Sequence, residues 1–100
     1  MLTVIAHYRT LPNRSDEVAA TLGRHVAATR REPGCVQFTV NRSTEDPEGF
    51  VLYEQYVDED AFEQHRGSSH FEEYILGTVV PLLAERTFQR YVLVEPDEGP

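Results

Sequence analysis

The sequence predicts an α+β domain in which four strands and two helices follow one another in the order βαββαβ. Four segments are rich in β-branched and aromatic residues that alternate with period 2. Two segments between them repeat apolar residues at helical spacing, and polar turns with Pro or Gly separate the segments. We expect one domain over residues 1–95 and a flexible acidic tail over residues 96–100.

Size and charge limit the classes of function. A chain of 100 residues with 40% hydrophobic content suits a single domain with a modest core. The formal net charge of −8 disfavours nucleic acid and anionic membranes, which bind positive surfaces. No apolar run reaches the roughly 20 residues of a membrane span. Cys35 is the single cysteine, so we expect a buried thiol in a reducing cytoplasm.

The first half of the chain is predicted to form a βαβ unit. Residues 2–9 form the first strand. Ser15 is expected to cap a helix that runs to about residue 31, and Pro33-Gly34 ends it. Residues 36–42 alternate as the second strand. Val36, Phe38 and Val40 share one face of it, and they alternate with Gln37, Thr39 and Asn41.

A helix with a break is predicted between the last two strands. Asp58 is expected to cap its first part, and Gly67 interrupts it. Ser69 and Glu72 have capping-box spacing, which predicts that the helix begins again near residue 70. Pro81 removes a backbone donor and is expected to kink or end the second part.

The remaining strands complete the fold class. Residues 50–57 and 87–94 are predicted as strands three and four. The resulting order is ferredoxin-like, with one four-stranded antiparallel sheet and both helices on one face. Strand three carries apolar and aromatic residues on both faces, so the second face also needs cover. We therefore expect a homodimer in which two sheets pack face to face.

Three histidines are candidates for chemistry. His65 and His70 flank the helix break, where side chains and free amides can converge. A histidine that titrates near neutral pH can take a phenolic proton. Alternatively, both only cap or pack the broken helix. His25 lies on the apolar stripe of the first helix, where it either lines a pocket or is a core residue with satisfied hydrogen bonds.

Five further residues are candidates for substrate contact, each with a plainer structural alternative. Aromatic packing would also explain the two tyrosines among them, and helix capping would explain Ser69. A place near the expected dimer surface would explain His7. The candidates are Phe50, Tyr53, Tyr74, Ser69 and His7.

Glu54 and the histidine spacing complete the survey of polar groups. Glu54 stands in the middle of a strand and is expected to pair with Arg9, Arg42 or Arg90 across the sheet. The four histidines show no regular ligand spacing, so no metal site is predicted.

Four stretches, taken in their order and spacing, resemble the antibiotic biosynthesis monooxygenase family. The resemblance implies a dimeric α+β barrel and small-molecule chemistry without metal, flavin or haem, with molecular oxygen as co-substrate. Some members oxidise phenolic polyketides or hydroquinones to quinones, whereas others degrade haem or isomerise a phosphorylated sugar derivative. The stretches are MLTVIAHYRTLP at the start, REPGC at 31–35, FVLYEQY at 50–56 and DEDAFEQHRGSSHF at 58–71.

The sequence departs from the haem-degrading branch of that family. That branch uses a Trp where this chain has His65, and an axial His where it has Ile75. The chain contains no Trp at all. Haem degradation is therefore not expected.

The leading hypothesis is a cofactor-independent monooxygenase that acts on a small aromatic hydroxy compound. His65 or His25 would be the base. One alternative is a dimeric protein that binds a small metabolite without turnover. Another is an isomerase of a phosphorylated sugar derivative, which the expected scarcity of arginines near the pocket does not support.

Overall fold

A computed structural model describes residues 1–99 and confirms the ferredoxin-like order. The strands are β1 (Leu2–Thr10), β2 (Cys35–Arg42), β3 (Gly49–Tyr56) and β4 (Leu83–Val92). The helices are α1 (Ser15–Thr29), α2 (Glu59–Arg66), a π-helix (Phe71–Val79) and a 3₁₀ turn (Val80–Leu82). No helix within residues 1–99 is both long enough and apolar enough to span a membrane.

The strands form one antiparallel sheet with the order β2-β3-β1-β4. On β1, Leu2, Val4, Ala6 and Tyr8 are buried, as the alternation of the sequence predicts. This inner face of the sheet packs against the helices. Nearly all of β4 remains exposed, so the inner face is open along that edge.

β2 begins with an irregularity that corrects the predicted faces. Cys35 pairs with Tyr56 and Gln37 pairs with Gln55, so Val36 is an extra residue between them. Val36 is 48% exposed whereas Phe38 is buried, so the two do not share a face as the alternation predicts. Cys35 packs against the core instead. Burial raises the pKa of its thiol to about 11, which keeps it protonated.

The start of α1 also differs from the prediction. The N-cap position belongs to Arg14, which makes no side-chain capping bond, and Ser15 is the first helical residue. The hydroxyl of Ser15 accepts a hydrogen bond from Arg42 at 2.7 Å. Arg42 also pairs with Asp16 at 2.9 Å. The hydroxyl thus ties α1 to β2 instead of capping the helix.

The helix break lies where the sequence predicts it, but its cap is one residue earlier. Asp58 caps α2 as expected, accepting from the amide of Ala61 at 2.8 Å. Ser68, not Ser69, caps the second part: its Oγ accepts from the amide of Phe71 at 3.2 Å. The same hydroxyl donates to the carbonyl of His65 at 2.7 Å. Ser68 therefore joins the two helical parts directly.

The second part is a π-helix where an α-helix was expected. Its hydrogen bonds reach five residues back, as from the Val80 amide to the Ile75 carbonyl. Its buried residues are spaced four apart: Phe71, Ile75 and Val79. The prediction that Pro81 ends the helix is confirmed, because Pro81 lies in the 3₁₀ turn before β4.

β4 begins at Leu83, four residues before the predicted start. Leu83 pairs with Thr10 at the far end of β1, and the pairing continues to Val92. The segment Ala84-Glu85-Arg86 has weak strand propensity by itself. Pairing with β1 therefore overrides local propensity, and it brings Arg86 into the sheet opposite Tyr8.

The loop between α1 and β2 packs directly on α2 at Gly34. A Cβ added to Gly34 would lie 2.4 Å from the Cβ of Ala61, closer than two carbon atoms can approach. Glycine is required here because of this contact, since its φ is not positive. The contact holds the loop that carries Glu32 against the helix that carries His65.

The variant Gly34→Ala should lower the free energy of unfolding by about 1–3 kcal/mol, as overpacking typically does. Urea unfolding measures this change. Adding Ala61→Gly should restore part of the lost free energy of unfolding, because it removes the Cβ that the new side chain meets. The double variant should therefore be more stable than the sum of the two single changes predicts. Gly23→Ala on the exposed side of α1 is the control, since nothing lies within 4 Å of its added Cβ. Additive changes in the double variant would contradict the contact.

Candidate functional site

A cavity opens between α2 and the inner face of the sheet. The volume that the centres of water molecules can occupy in it is about 30 Å³. This volume holds only a few waters. Half of its lining residues are apolar: Val4, Ala6 and three phenylalanines. The other half are the groups of the cavity that can bond to a ligand or exchange a proton with it. These are Tyr8, Glu54, His65, Arg66 and Arg86.

His65 lies in the cavity wall at the end of α2 and is only 2% exposed. Its Nδ1 is 2.8 Å from Oε2 of Glu32. The two nitrogens of an imidazole ring point in different directions, so Nε2 is directed away from Glu32. The structure thus places the first predicted catalytic histidine in the cavity wall, with Nδ1 bonded to Glu32.

His70 lies beside His65 but does not line the cavity. Its Nε2 is 2.5 Å from Oε2 of Glu32, the same oxygen that His65 contacts. The side chain is 19% exposed. The predicted substrate contact of His70 therefore has no support from its position, which is that of a partner to Glu32.

Glu32 is the residue at this site that the sequence reading missed. Its carboxylate pairs with His65 and His70, and within residues 1–99 no arginine forms a salt bridge with it. One signal was present in the sequence. An acid just after the end of a helix faces the negative pole of the helix dipole, an unfavourable position that calls for a compensating partner.

His25 points inward, as predicted, but lies behind His65 and outside the cavity wall. Its ring centre is 5.2 Å from that of His65 and 5.5 Å from that of His70. Burial, followed by the charges of these two histidines, lowers its pKa to about 3. Its Nδ1 has no hydrogen-bond partner within the described chain. The prediction of His25 as the base therefore has no geometric support.

Glu54 faces the cavity and not a cross-strand arginine. Tyr56, on the same face of β3, donates its hydroxyl to Oε1 of Glu54 at 2.5 Å. Burial is the main cause that raises the pKa of Glu54. The predicted ion pair is wrong, because each of the three arginines pairs with another acid. The pairs are Arg9 with Asp46, Arg42 with Asp16 and Arg90 with Glu59.

Two arginines border the cavity, although few were expected near it. Arg86 lies over the ring of Tyr8, with 6.0 Å between the guanidinium carbon and the ring centre. Burial raises the pKa of the Tyr8 hydroxyl, and Arg86 opposes that rise. Arg66 lines the mouth from α2. The expectation failed because the early start of β4 brings Arg86 into the sheet.

The other five candidates lie away from the cavity wall. Phe50 is buried in the main core. Tyr53 and His7 lie on the outer face of the sheet, opposite the helices. Tyr74 is partly buried on the π-helix, and Ser69 is exposed. Of the site residues predicted from the sequence, His65 alone lines this cavity in the single described chain.

Glu32, His65 and His70 also form a group whose ligand-type atoms lie within 4.8 Å of one another. Two nitrogens and one oxygen suit a transition metal such as zinc. These atoms already form two short hydrogen bonds through one carboxylate oxygen. A cation would have to replace both bonds, so we interpret the group as a hydrogen-bonded cluster.

The fold and the cavity define a class: small α+β proteins with a histidine in an apolar cavity between sheet and helix. A family model described as antibiotic biosynthesis monooxygenase matches residues 1–76. The chain belongs to this family.

Individual relatives agree with this assignment. A Mycobacterium tuberculosis protein named "Putative monooxygenase Rv0793" is 33% identical over 73 residues, which cover 73% of this chain and 71% of the relative. Its structure superposes with a TM-score of 0.86 and 27% identity, covering 95% of this chain and 96% of that one. The structure of PA3566 from Pseudomonas aeruginosa superposes with a TM-score of 0.88 and 26% identity, covering 94% of each chain.

The buried His25 should make the protein sensitive to acid. The unfolded chain binds a proton at His25 below about pH 6.5, whereas the folded chain does so only near pH 3. Stability is therefore lost as the pH falls through this window, by an amount on the order of 5 kcal/mol. His25→Leu should flatten the dependence of the unfolding free energy on pH between 6.5 and 4.

Urea unfolding at a series of pH values measures this effect. Val18→Ala is the matched control, because it changes a buried residue of α1 that does not titrate; it should keep the wild-type slope. An equally steep slope in His25→Leu would show that His25 is not held neutral by burial.

Proposed function

We propose that this protein is a cofactor-independent monooxygenase that oxidises a small phenolic or hydroquinone-type compound with molecular oxygen to a quinone. The observation that carries the proposal is the position of His65, buried in the wall of a largely apolar cavity with Nδ1 held by Glu32. Family membership and the name of the Mycobacterium relative support oxygenase chemistry.

The reaction begins with a proton transfer. Nε2 of His65 takes the phenolic proton, which leaves an electron-rich phenolate. The phenolate gives one electron to O₂, and the phenoxyl radical and superoxide combine through a C–O bond at a ring carbon that carries hydrogen. His65 returns its proton to the peroxide. Loss of the ring proton with hydroxide then gives a quinone and water, so the substrate supplies every electron.

The other cavity groups suit the phenolate. Arg86 places a positive charge in the cavity wall, where it would stabilise the developing anion. Burial raises the pKa of Glu54 and so favours its neutral form, which does not repel an anion. The apolar lining residues would keep water away from the radical pair. Arg66, Arg86 and Phe88 are the exposed residues of the cavity wall, so their movement would admit a ring.

We also propose that the protein is a homodimer through the outer face of the sheet. On that face Ile5 of β1 pairs with Tyr53 of β3, and Val51 lies two residues before Tyr53 on the same strand. Gln55 donates to the hydroxyl of Thr3 on the same face, and both residues are buried. No helix covers this face within residues 1–99, and a second copy presents the same face with its three large apolar and aromatic side chains.

A second candidate function has support from the two arginines. Arg66 and Arg86 can bind an anion, which suits an isomerase of a phosphorylated sugar derivative or a protein that binds an acidic metabolite without turnover. Oxygen consumption separates these functions from the first. A binder gives a thermal shift with an acidic ligand and consumes no oxygen.

His65→Gln should lower the rate of quinone formation by roughly 10²–10⁴, the usual range for loss of a general base. Oxygen uptake with a panel of phenols and hydroquinones measures the rate. With ¹⁸O₂, one labelled atom should enter the quinone and one should enter water. Gln64→Ala, at the neighbouring exposed position of α2, is the matched control and should keep wild-type activity. Equal activity in His65→Gln would contradict the proposed base.

Ile5→Lys should convert the dimer to a monomer, because it places a charge at the centre of the proposed interface. Light scattering after size exclusion gives the mass. Gln64→Lys adds the same charge on the helix side of the molecule and should leave the dimer intact. A monomeric wild-type protein at micromolar concentration would rule out the interface.

A further inference from the structure

We propose that Glu32, anchored by His70, is a positioning residue that holds His65 in the tautomer with its proton on Nδ1. In this tautomer Nε2 carries a lone pair and can accept a proton from the substrate. The effect on catalysis rests on the proposed function. The effect on the tautomer of His65 does not, because it follows from hydrogen bonding alone.

The argument starts from a single oxygen atom. Oε2 of Glu32 lies 2.8 Å from Nδ1 of His65 and 2.5 Å from Nε2 of His70. An ionised carboxylate only accepts hydrogen bonds, so each of these nitrogens must carry a proton. A neutral His65 then has its second nitrogen free of hydrogen. The carboxylate thus determines which nitrogen of His65 can act as a base.

The position of Glu32 is fixed by the backbone on both sides. Its amide donates to the Thr29 carbonyl at 3.0 Å, and its carbonyl accepts from the Cys35 amide at 3.1 Å. Two residues along the chain, Gly34 packs on α2 through the close contact with Ala61. The loop therefore presents the carboxylate to α2 at a fixed distance, as a positioning role requires.

His70 limits the movement of the carboxylate itself. It stands after the helix break, and the hydroxyl of Ser68 joins the two helical parts around that break. Because His70 and His65 bond to the same oxygen from different segments, Oε2 cannot move toward one without lengthening its bond to the other. His70 thus acts on Glu32, and Glu32 acts on His65.

The charges around His65 favour the same arrangement. When His65 takes a proton, the imidazolium lies beside the carboxylate of Glu32, which stabilises it. The other titratable groups that face His65 are His25 from α1, Glu54 and Tyr56 from β3, and His70 after the helix break. Burial lowers the pKa of His25 to about 3, so it adds no positive charge at neutral pH.

The first test needs no substrate. Two-bond ¹H–¹⁵N correlation spectra at pH 8 report which ring nitrogen of each histidine carries the proton. In the wild-type protein, His65 should show a protonated Nδ1 and an unprotonated Nε2. Glu32→Gln should give a mixture of both tautomers, because the amide can donate as well as accept. A wild-type His65 with its proton on Nε2 would overturn the proposal.

A pair of variants at His70 separates anchoring from simple packing. His70→Gln keeps a side-chain N–H that can donate to Glu32, whereas His70→Leu has a similar size and no donor. The Gln variant should keep the wild-type tautomer of His65, and the Leu variant should lose part of it. Equal spectra for the two variants would show that His70 does not anchor Glu32. This pair also provides the test if Glu32→Gln fails to fold.

The second test measures catalysis with the phenols that the wild-type protein oxidises. Glu32→Gln should lower kcat by about 10²–10⁴ and change KM by less than about threefold, because Glu32 does not touch the substrate. The acidic limb of its pH–rate profile should also move. An active wild-type protein with an unchanged kcat and profile in Glu32→Gln would overturn the positioning role.

The two tests distinguish the failure of each proposal. A wild-type protein that consumes no oxygen with any phenol, but shows the expected tautomer and its loss in Glu32→Gln, would reject the monooxygenase function and keep the positioning role. Oxygen consumption that depends on His65 and is unaffected by Glu32→Gln would keep the function and reject the positioning role.

Discussion

The hydrogen bond between His65 and Glu32 is the interaction on which the site depends, because it joins segments that are 33 residues apart. It forms only if the loop after α1 can approach α2. Gly34 permits that approach, since any side chain there would meet Ala61. The break after α2 then lets His70 reach the same carboxylate. Glu32, which is partly buried and pairs with no arginine within residues 1–99, is thereby supplied with two donors.

The fold was predictable because its signals are local. The alternation in β1 and the apolar stripe of α1 each identify an element without reference to the rest of the chain. The errors occur where partners far along the chain decide the outcome. β4 begins early because β1 offers a partner as far as Thr10, and Val36 is exposed because two strands pair around it. Neither effect can be seen in a window of ten residues.

The site was predictable only in part, for the same reason. His65 could be selected because it stands next to a helix break, which is a local feature. Arg86 could not, since its role arises from strand register. The position of Glu32 after a helix end signals only that it needs a partner, and the loop contact decides that the partner is His65. The inward direction of His25 follows from helical spacing. Spacing gives no information on whether a partner or a cavity lies beyond the ring, and here Nδ1 has neither.

The charge of the cavity is opposite to that of the protein, and this contrast bears on the form in which a substrate would enter. The chain has a formal net charge of −8, which repels anions at long range. The cavity carries Arg66 and Arg86, while burial favours the neutral form of Glu54. A neutral phenol could approach without repulsion and become an anion only after His65 takes its proton. The net charge then disfavours the approach of ready-made anions, whereas the arginines of the cavity would stabilise an anion formed inside it.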